Sequence, residues 1–166
     1  MNNVVLSLGS NLGDKVFYLK EAVKLLNLRI GEAFLSSSVY ETEAWGMVSD
    51  ETFYNIVLVL KTEMNPFRLL KESMQIESEL GRERVSEGYA SRTIDIDILF
   101  FNEEIIETNE LTIPHLHIQK RNFVLAPLAE ILPEFRHPIL KMTAKELLEI
   151  SQDKCVAEKI TDVGFL

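Results

Sequence analysis

Arg92-Thr93-Ile94-Asp95-Ile96-Asp97-Ile98 sets two aspartates two residues apart inside a run of isoleucines, in a stretch that reads as a β-strand. Side chains two apart on a strand share a face, so Asp95 and Asp97 point the same way with Cα atoms roughly 6.5 Å apart. Their charges repel unless a cation lies between them. Paired carboxylates on a rigid strand suit Mg²⁺, which takes oxygen ligands octahedrally and is usually held by one or two carboxylates plus substrate phosphates. Taken alone, the Asp-x-Asp pattern also fits an edge strand with its polar face in water. Two features weigh against that reading: Asp is depleted in strands, and the same face continues with Leu99 and Phe101. Arg92 lies on the approach to the pair.

The elements upstream give this strand its place in a fold. Val4-Val5-Leu6-Ser7-Leu8 is a short apolar run ending at Gly9 and reads as a buried first strand. After a turn, Asp14 is an N-cap candidate, and Val16, Leu19, Val23 and Leu26 form the stripe of an amphipathic helix that stops near Asn27 to Gly31. Ala33 to Tyr40 and Phe53 to Lys61 read as strands. Pro66 opens a helix that runs to about Leu80, where Gly81 ends it. The order strand, helix, strand, strand, helix, strand is that of an α+β, ferredoxin-like split βαβ fold, a mostly antiparallel sheet with its helices on one face. The other face is then open to ligands. Beyond residue 101 the chain reads as irregular from Asn102 to Asn109, followed by the segment Pro114 to Pro133 and a last short helix near Thr143 to Ile150. This C-terminal addition is expected to pack on the same domain, giving one domain over 1–166.

Composition narrows the function classes. Hydrophobic residues at 46% and charged residues at 26% are ordinary globular values, and 166 residues suffice for a sizeable core. A single Cys155 excludes an internal disulfide, and three histidines make a zinc cage a poor fit. No leader pattern or spanning segment is apparent, so a soluble, cytoplasmic protein is expected. A net charge of -9 argues against nucleic acid as a partner. Yet Arg82, Arg84, Arg92, Lys120 and Arg121 gather in the middle of the chain, near the aspartates, which points to a small anionic ligand.

Several residues break their local pattern. On the second helix Phe67, Leu69, Leu70, Met74, Ile76 and Leu80 form one apolar face, and Glu77 falls in its middle, projecting toward the sheet. A charge there must be paired, either in a structural salt bridge or with a ligand, and both readings bring it to the arginine cluster. Guanidinium groups match phosphate oxygens bidentately, and several beside a metal site would neutralise a polyphosphate during transfer. His115, after Pro114, is a candidate further donor. On the strand from residue 53, Phe53 and Asn55 share a face, while Tyr54, Ile56 and Leu58 share the other. An aromatic beside a carboxamide suits a flat heterocycle, with Phe123 a candidate second slice of the sandwich; two unrelated core phenylalanines are the alternative. Gly9-Ser10-Asn11-Leu12-Gly13-Asp14-Lys15 lacks the spacing and ending of a Walker A loop, so any ATP here is held by arginines and metal.

Taken together, these segments resemble the 6-hydroxymethyl-7,8-dihydropterin pyrophosphokinase family, which moves a diphosphate from ATP to a pterin in folate biosynthesis. The resemblance runs through Leu8-Gly9-Ser10-Asn11, Tyr40-Glu41-Thr42, Phe53-Tyr54-Asn55, Ile76-Glu77, Gly81-Arg82-Glu83-Arg84, and the arginine-aspartate strand. Pro114-His115 and Arg121-Asn122-Phe123-Val124-Leu125-Ala126-Pro127-Leu128 complete it. It covers roughly the first four-fifths of the chain. The resemblance implies two Mg²⁺ ions on Asp95 and Asp97, Arg82 and Arg92 as a charge-stabilising pair, and ATP contacts from Glu77, Arg84, Thr112, His115 and Arg121. It further implies a pterin stacked between Phe53 and Phe123 and read by Asn55 and by backbone near Thr42 and Trp45. The loop from Arg82 to Ser91 is then expected to close over ATP, and the chain to act as a monomer with no nucleic-acid or membrane partner.

There are departures from the family pattern. Gly88-Tyr89 stands where many members carry a basic residue followed by Trp, and Glu110 and Leu116 stand where some have polar or basic ATP contacts. Other functions compatible with the same carboxylates and arginines are a metal-dependent phosphohydrolase, or a non-catalytic ligand-binding module.

Overall fold

Strand β1 (Asn2–Ser10) runs through the middle of the sheet, and the alternation of its side chains divides the interior in two. The computed structural model describes residues 1–43, 52–82, 92–160 and 164. From β1 the chain continues through α1 (Lys15–Arg29), β2 (Gly31–Ser36), β3 (Val39–Thr42), β4 (Phe53–Thr62), α2 (Pro66–Glu79) and β5 (Asp95–Phe101). A short ribbon of β6 (Ile106–Glu107) and β7 (Thr112–Ile113) follows, then α3 (Asn122–Ile131), α4 (Ala144–Glu149) and β8 (Glu158–Ile160). β1 pairs antiparallel with β4 on one side and β5 on the other, β2 and β3 both pair with β4, and β8 extends the sheet beyond β3. The chain is therefore α+β with an antiparallel main sheet. Among the described residues no helix is long and apolar enough to cross a membrane.

Val4, Leu6 and Leu8 of β1 and Ile56, Leu58 and Leu60 of β4 enter one core, where they meet Leu19 and Leu26 of α1 and Leu69 and Ile76 of α2. Fully burying one such side chain contributes roughly 1.5–3 kcal/mol, so this layer seats both helices on one face. Both are capped from the sequence: the Asp14 carboxylate accepts from the Phe17 N–H, and Asn65 Oδ1 from the Arg68 N–H. α2 stops before Gly81, whose φ of +84° lies in the left-handed region that glycine enters without steric cost.

The opposite face is also covered, which corrects the expectation of helices on one face alone. Val5, Val57 and Val59 point there and need an apolar partner, which Val124, Leu125, Leu128 and Leu147 of α3 and α4 supply. The C-terminal segment is thus a second helical layer. At one end of that face the apolar side chains give way to Ser7, Gly9, Asn55 and the two aspartates, and there a cavity opens.

Four details differ from the sequence reading. The strand expected over Ala33 to Tyr40 is two strands, because the Ser37 Oγ accepts from the Val57 N–H at 2.9 Å, taking a ladder position that backbone would otherwise fill. The apolar face of α2 is turned: Leu69, Ser73, Ile76 and Glu77 are buried, whereas Phe67 and Met74 are exposed. A β-bulge in the β1–β5 pairing puts Leu6 opposite Ile98 but Val5 opposite Phe100. The extra residue keeps Leu99 and Phe100 in the second core and sends Phe101 to the first, so Phe101 does not share the aspartate face. Last, the stretch 102–109, read as irregular, contributes β6, and residues 158–160 form an unforeseen edge strand.

Gly31 tests the β2–β4 register. A Cβ there would lie 1.9 Å from the Lys61 carbonyl oxygen, a backbone atom that cannot give way without separating the strands. Overpacking costs about 1–3 kcal/mol. Gly31→Ala should therefore lower the thermal midpoint by several degrees in a circular-dichroism melt; an unchanged midpoint would refute this pairing.

Candidate active site

The floor of the cavity is laid by register. Asp95 pairs with Gly9 and Asp97 with Ser7, so each carboxylate lies beside a position on β1 that carries little or no side chain. The space above is about 450 Å³, of a size for a small-molecule substrate, and both aspartates line it with Arg82, Arg92, His115 and Arg121.

The two carboxylates are treated differently by their neighbours. Arg82 Nη1 donates to Asp95 Oδ1 at 2.6 Å, and Arg92 Nη1 donates to Asp95 Oδ2. Asp97 Oδ2 instead lies 4.0 Å from both Arg121 Nη1 and His115 Nε2. Its carboxyl is accordingly held well above the ordinary carboxylate range, first by desolvation on the cavity floor and then by the Asp95 charge, with Arg121 offsetting part of the rise.

Arg82, Arg92 and His115 are each fixed by a named partner. Glu77, 3% exposed, accepts from Arg82 Nη1 and, through the same Oε1, from the Ile96 N–H at 2.7 Å. One buried carboxylate thereby locks α2, the residue after its C-terminal turn, and the aspartate strand together. Arg92 is seated by Asn11, whose Oδ1 accepts from the Arg92 N–H at 2.7 Å while the Asn11 N–H donates to the Arg92 carbonyl at 3.2 Å. His115 is hung from β5 by its N–H, which donates to the Leu99 carbonyl at 3.0 Å. Burial, and then the charges of Arg121 and His117, push its imidazole down to about 4, so it is neutral at pH 7. Its Nδ1 accepts from the His117 N–H at 3.4 Å, which leaves Nε2 as the N–H donor facing the cavity.

The other half of the cavity is uncharged apart from Glu43. Phe53, Asn55, Thr42 and Phe123 line it. Asn55 is buried, and its Nδ2 donates to Thr42 Oγ1 at 2.9 Å. That bond fixes the amide orientation and leaves Oδ1 on the side of Gly9 as an acceptor.

The chain that carries this cavity has known relatives. The family model for 7,8-dihydro-6-hydroxymethylpterin-pyrophosphokinase matches residues 5–133. The chain belongs to this family. It is 47% identical over 133 residues to the 2-amino-4-hydroxy-6-hydroxymethyldihydropteridine pyrophosphokinase of Bacillus subtilis (strain 168), with 79% of each chain covered. To the enzyme of the same name from Aquifex aeolicus (strain VF5) it is 42% identical, covering 88% of this chain and 90% of that one. A similar fold occurs in the crystal structure of wild-type Plasmodium falciparum HPPK-DHPS with SDX-DHP, at a TM-score of 0.72 and 21% identity. The match takes in 89% of this chain and 44% of that longer one.

Of the residues singled out in the sequence, Arg82, Arg92, Asp95, Asp97, His115, Arg121, Thr42, Phe53, Asn55 and Phe123 line one cavity. Glu77 lies behind its wall, touching it through Arg82. Thr112 is paired with Glu107 in the β6–β7 ribbon and is not among the lining residues. Trp45, Arg84 and the Gly88-Tyr89 departure lie outside the described residues. Ser7, Gly9, Glu43 and Asn11 were not read as site residues. Gly9 and Asn11 stand in the block Leu8-Gly9-Ser10-Asn11 with no role attached, and Ser7 on an apolar strand and Glu43 beside a loop carry no signal of their own.

The donor set suits a hard cation. Two carboxylates on one face carry oxygen ligands, and one or two carboxylates together with substrate phosphates are the usual ligands of Mg²⁺.

The raised Asp97 carboxyl fixes the sign of a pH effect. Its folded value lies above the unfolded value of about 3.9, so above that pH the unfolded state sheds a proton the folded state retains, and the stability contributed by this group falls as pH rises. Without metal, Asp97→Asn should match the wild type in thermal midpoint near pH 4 and exceed it by a few degrees at pH 8. Mg²⁺ with a nucleotide should raise the wild-type midpoint more than that of the variant. Midpoints that run parallel across pH would contradict the assignment.

Proposed function

We propose that this chain transfers the diphosphate of ATP to the hydroxymethyl oxygen of 7,8-dihydro-6-hydroxymethylpterin, with two Mg²⁺ ions on Asp95 and Asp97, within one domain of the ferredoxin-like split βαβ type spanning 1–166. Membership of the family makes it a pterin pyrophosphokinase of folate synthesis. The observation that carries the finer reading is the single cavity whose carboxylate-guanidinium half adjoins an aromatic-amide half.

In this reading the polyphosphate lies over Asp95 and Asp97, and the pterin lies between Phe53 and Phe123. The hydroxymethyl oxygen bonds to the β-phosphorus, the bond from that phosphorus to the α-phosphate oxygen breaks, AMP departs and the hydroxyl proton is lost. Bound Mg²⁺ would supply charge neutralisation and alignment of the phosphates. Arg82 and Arg92, held at Asp95, need only turn to reach a phosphate that arrives beside it, where they stabilise the charge developing on the leaving group. Arg121 and the neutral Nε2–H of His115 serve as donors to the same phosphates. Glu77 acts by holding Arg82 and β5 in place. Arg84 and Thr112 as ATP contacts, and Trp45 at the pterin, rest on the family resemblance alone. On the acceptor side the Asn55 Oδ1 takes a ring N–H, and Thr42 holds the amide in that orientation. The chain works as a monomer in the cytoplasm.

The test of the reaction is product identity. With Mg²⁺, ATP and the pterin, AMP and pterin diphosphate are expected in equal amounts; ADP, or phosphate release without pterin, would replace this reading with a simple kinase or a phosphohydrolase. Asp97→Ala should lower kcat/KM about 10²–10³-fold with the fold intact by circular dichroism. A Cβ at Gly9 would lie 2.9 Å from Asn55 Oδ1, so Gly9→Ala should raise KM for pterin while leaving KM for ATP near the wild-type value. An equal rise in both would count against the assigned halves.

A further inference from the structure

Helix α3 begins at Asn122, and Arg121 in its N-cap position makes no side-chain cap. The Arg121 guanidinium, a donor only, is turned toward Asp97. The first N–H groups of a helix need acceptors from elsewhere, and one is supplied from far along the chain: the Asn122 N–H donates to Asp153 Oδ2 at 2.8 Å, across 31 residues. The other oxygen, Oδ1, accepts from the Cys155 N–H at 3.0 Å, which curls the chain around the carboxylate. Asn122 answers through Nδ2, donating to the carbonyls of Asp153 and Cys155 at 3.0 Å each.

From there the chain runs to β8, which pairs with β3. Lys159 Nζ donates to Glu130 Oε1 of α3 at 2.6 Å, and the same carboxylate accepts from the Ser38 N–H and Oγ at 2.9 Å. One segment thus ties the first turn of α3, bearing Phe123, to β3, bearing Thr42. Glu158 of β8 lies opposite Glu41, two residues before the lining residue Glu43. The family match ends at residue 133, so residues 151–160 lie beyond it while their partners Asn122 and Glu130 lie within it.

We propose that residues 151–160 are a strap that fixes the acceptor half of the site, with Asp153, the remote cap of α3, a positioning residue for Phe123. The physical reason is that a guanidinium carries only donors, so Arg121 in the N-cap position has nothing with which to accept from the helix N–H groups. A carboxylate brought from elsewhere supplies that acceptor, and at a helix N-terminus it is also favoured by the helix dipole. The proposal rests on the reading of Phe123 and Thr42 as walls of the pterin pocket.

The experiment is equilibrium binding of the fluorescent pterin to the full chain with Mg²⁺ and a non-hydrolysable ATP analogue, alongside kcat and KM. Losing a cap corresponds to about a 2- to 30-fold effect, so Asp153→Ala should weaken pterin binding about tenfold, with kcat at saturating pterin nearly unchanged. Asp153→Asn retains an acceptor for the Asn122 N–H and should recover most of the loss. Phe123→Ala separates the two layers of inference. If it weakens pterin binding and Asp153→Ala does not, the strap proposal alone falls; if Phe123→Ala has no effect, the pocket reading falls and takes the strap with it. An equal loss in Asp153→Asn would overturn the capping role. Should Asp153→Ala fail to fold, Asn122→Ala cuts the two side-chain ties and leaves the capped N–H; weaker pterin binding is expected, and unchanged binding overturns the proposal.

Discussion

The carboxylate of Asp95, gripped on one oxygen by Arg82 and on the other by Arg92, is the contact around which this molecule is arranged. Charges taken from water are costly unless they are paired and hydrogen-bonded. Here the pairing continues into the interior, because Arg82 is also held by Glu77, and Glu77 in turn accepts the Ile96 N–H of the same strand. A helix end, a strand and two arginines are thereby locked to one another. Asp97 stands outside this arrangement, 4.0 Å from Arg121, and desolvation followed by the charge of Asp95 makes its carboxyl harder to ionise. Two aspartates of identical chemistry thus acquire different characters: one is neutralised by protein, and the other faces the cavity with its charge poorly compensated.

The sheet turns this local chemistry into a place where two substrates can meet. One face of β1, β4 and β5 is closed by α1 and α2, and most of the other by α3 and α4. What stays open is the end where Ser7 and Gly9 lie between the aspartates of β5 and Asn55 of β4. Since β1 is flanked by both strands, a ligand bound over β5 and one bound over β4 are neighbours by construction. A larger residue at position 9 would close the passage between the two halves.

Much of this was legible in the sequence because it depends on short periods. Two-residue alternation put Asp95 with Asp97 and Phe53 with Asn55, and helical spacing aimed Glu77 at the sheet. The family resemblance then grouped residues far apart in the chain, such as Arg82, His115 and Phe123, which periodicity alone leaves unconnected. Other features escaped because they have no period. The bulge opposite Val5 and Leu6 moves Phe101 to the other core, since one extra residue reverses the alternation. Ser37 divides a strand by replacing a backbone partner with its hydroxyl, which its identity alone does not announce.

By itself the sequence determined the antiparallel α+β plan, the shared face of the aspartates, the helix cap at Asp14, the start of the second helix at Pro66, and the family. These follow from local geometry and from motifs kept in order. Only the tertiary structure decided which aspartate the arginines hold, that His115 is neutral, that the C-terminal helices roof the second face, and that Asp153 caps α3 across 31 residues. Each of these depends on desolvation or on partners distant in the chain, quantities that exist only once the strands have been brought side by side.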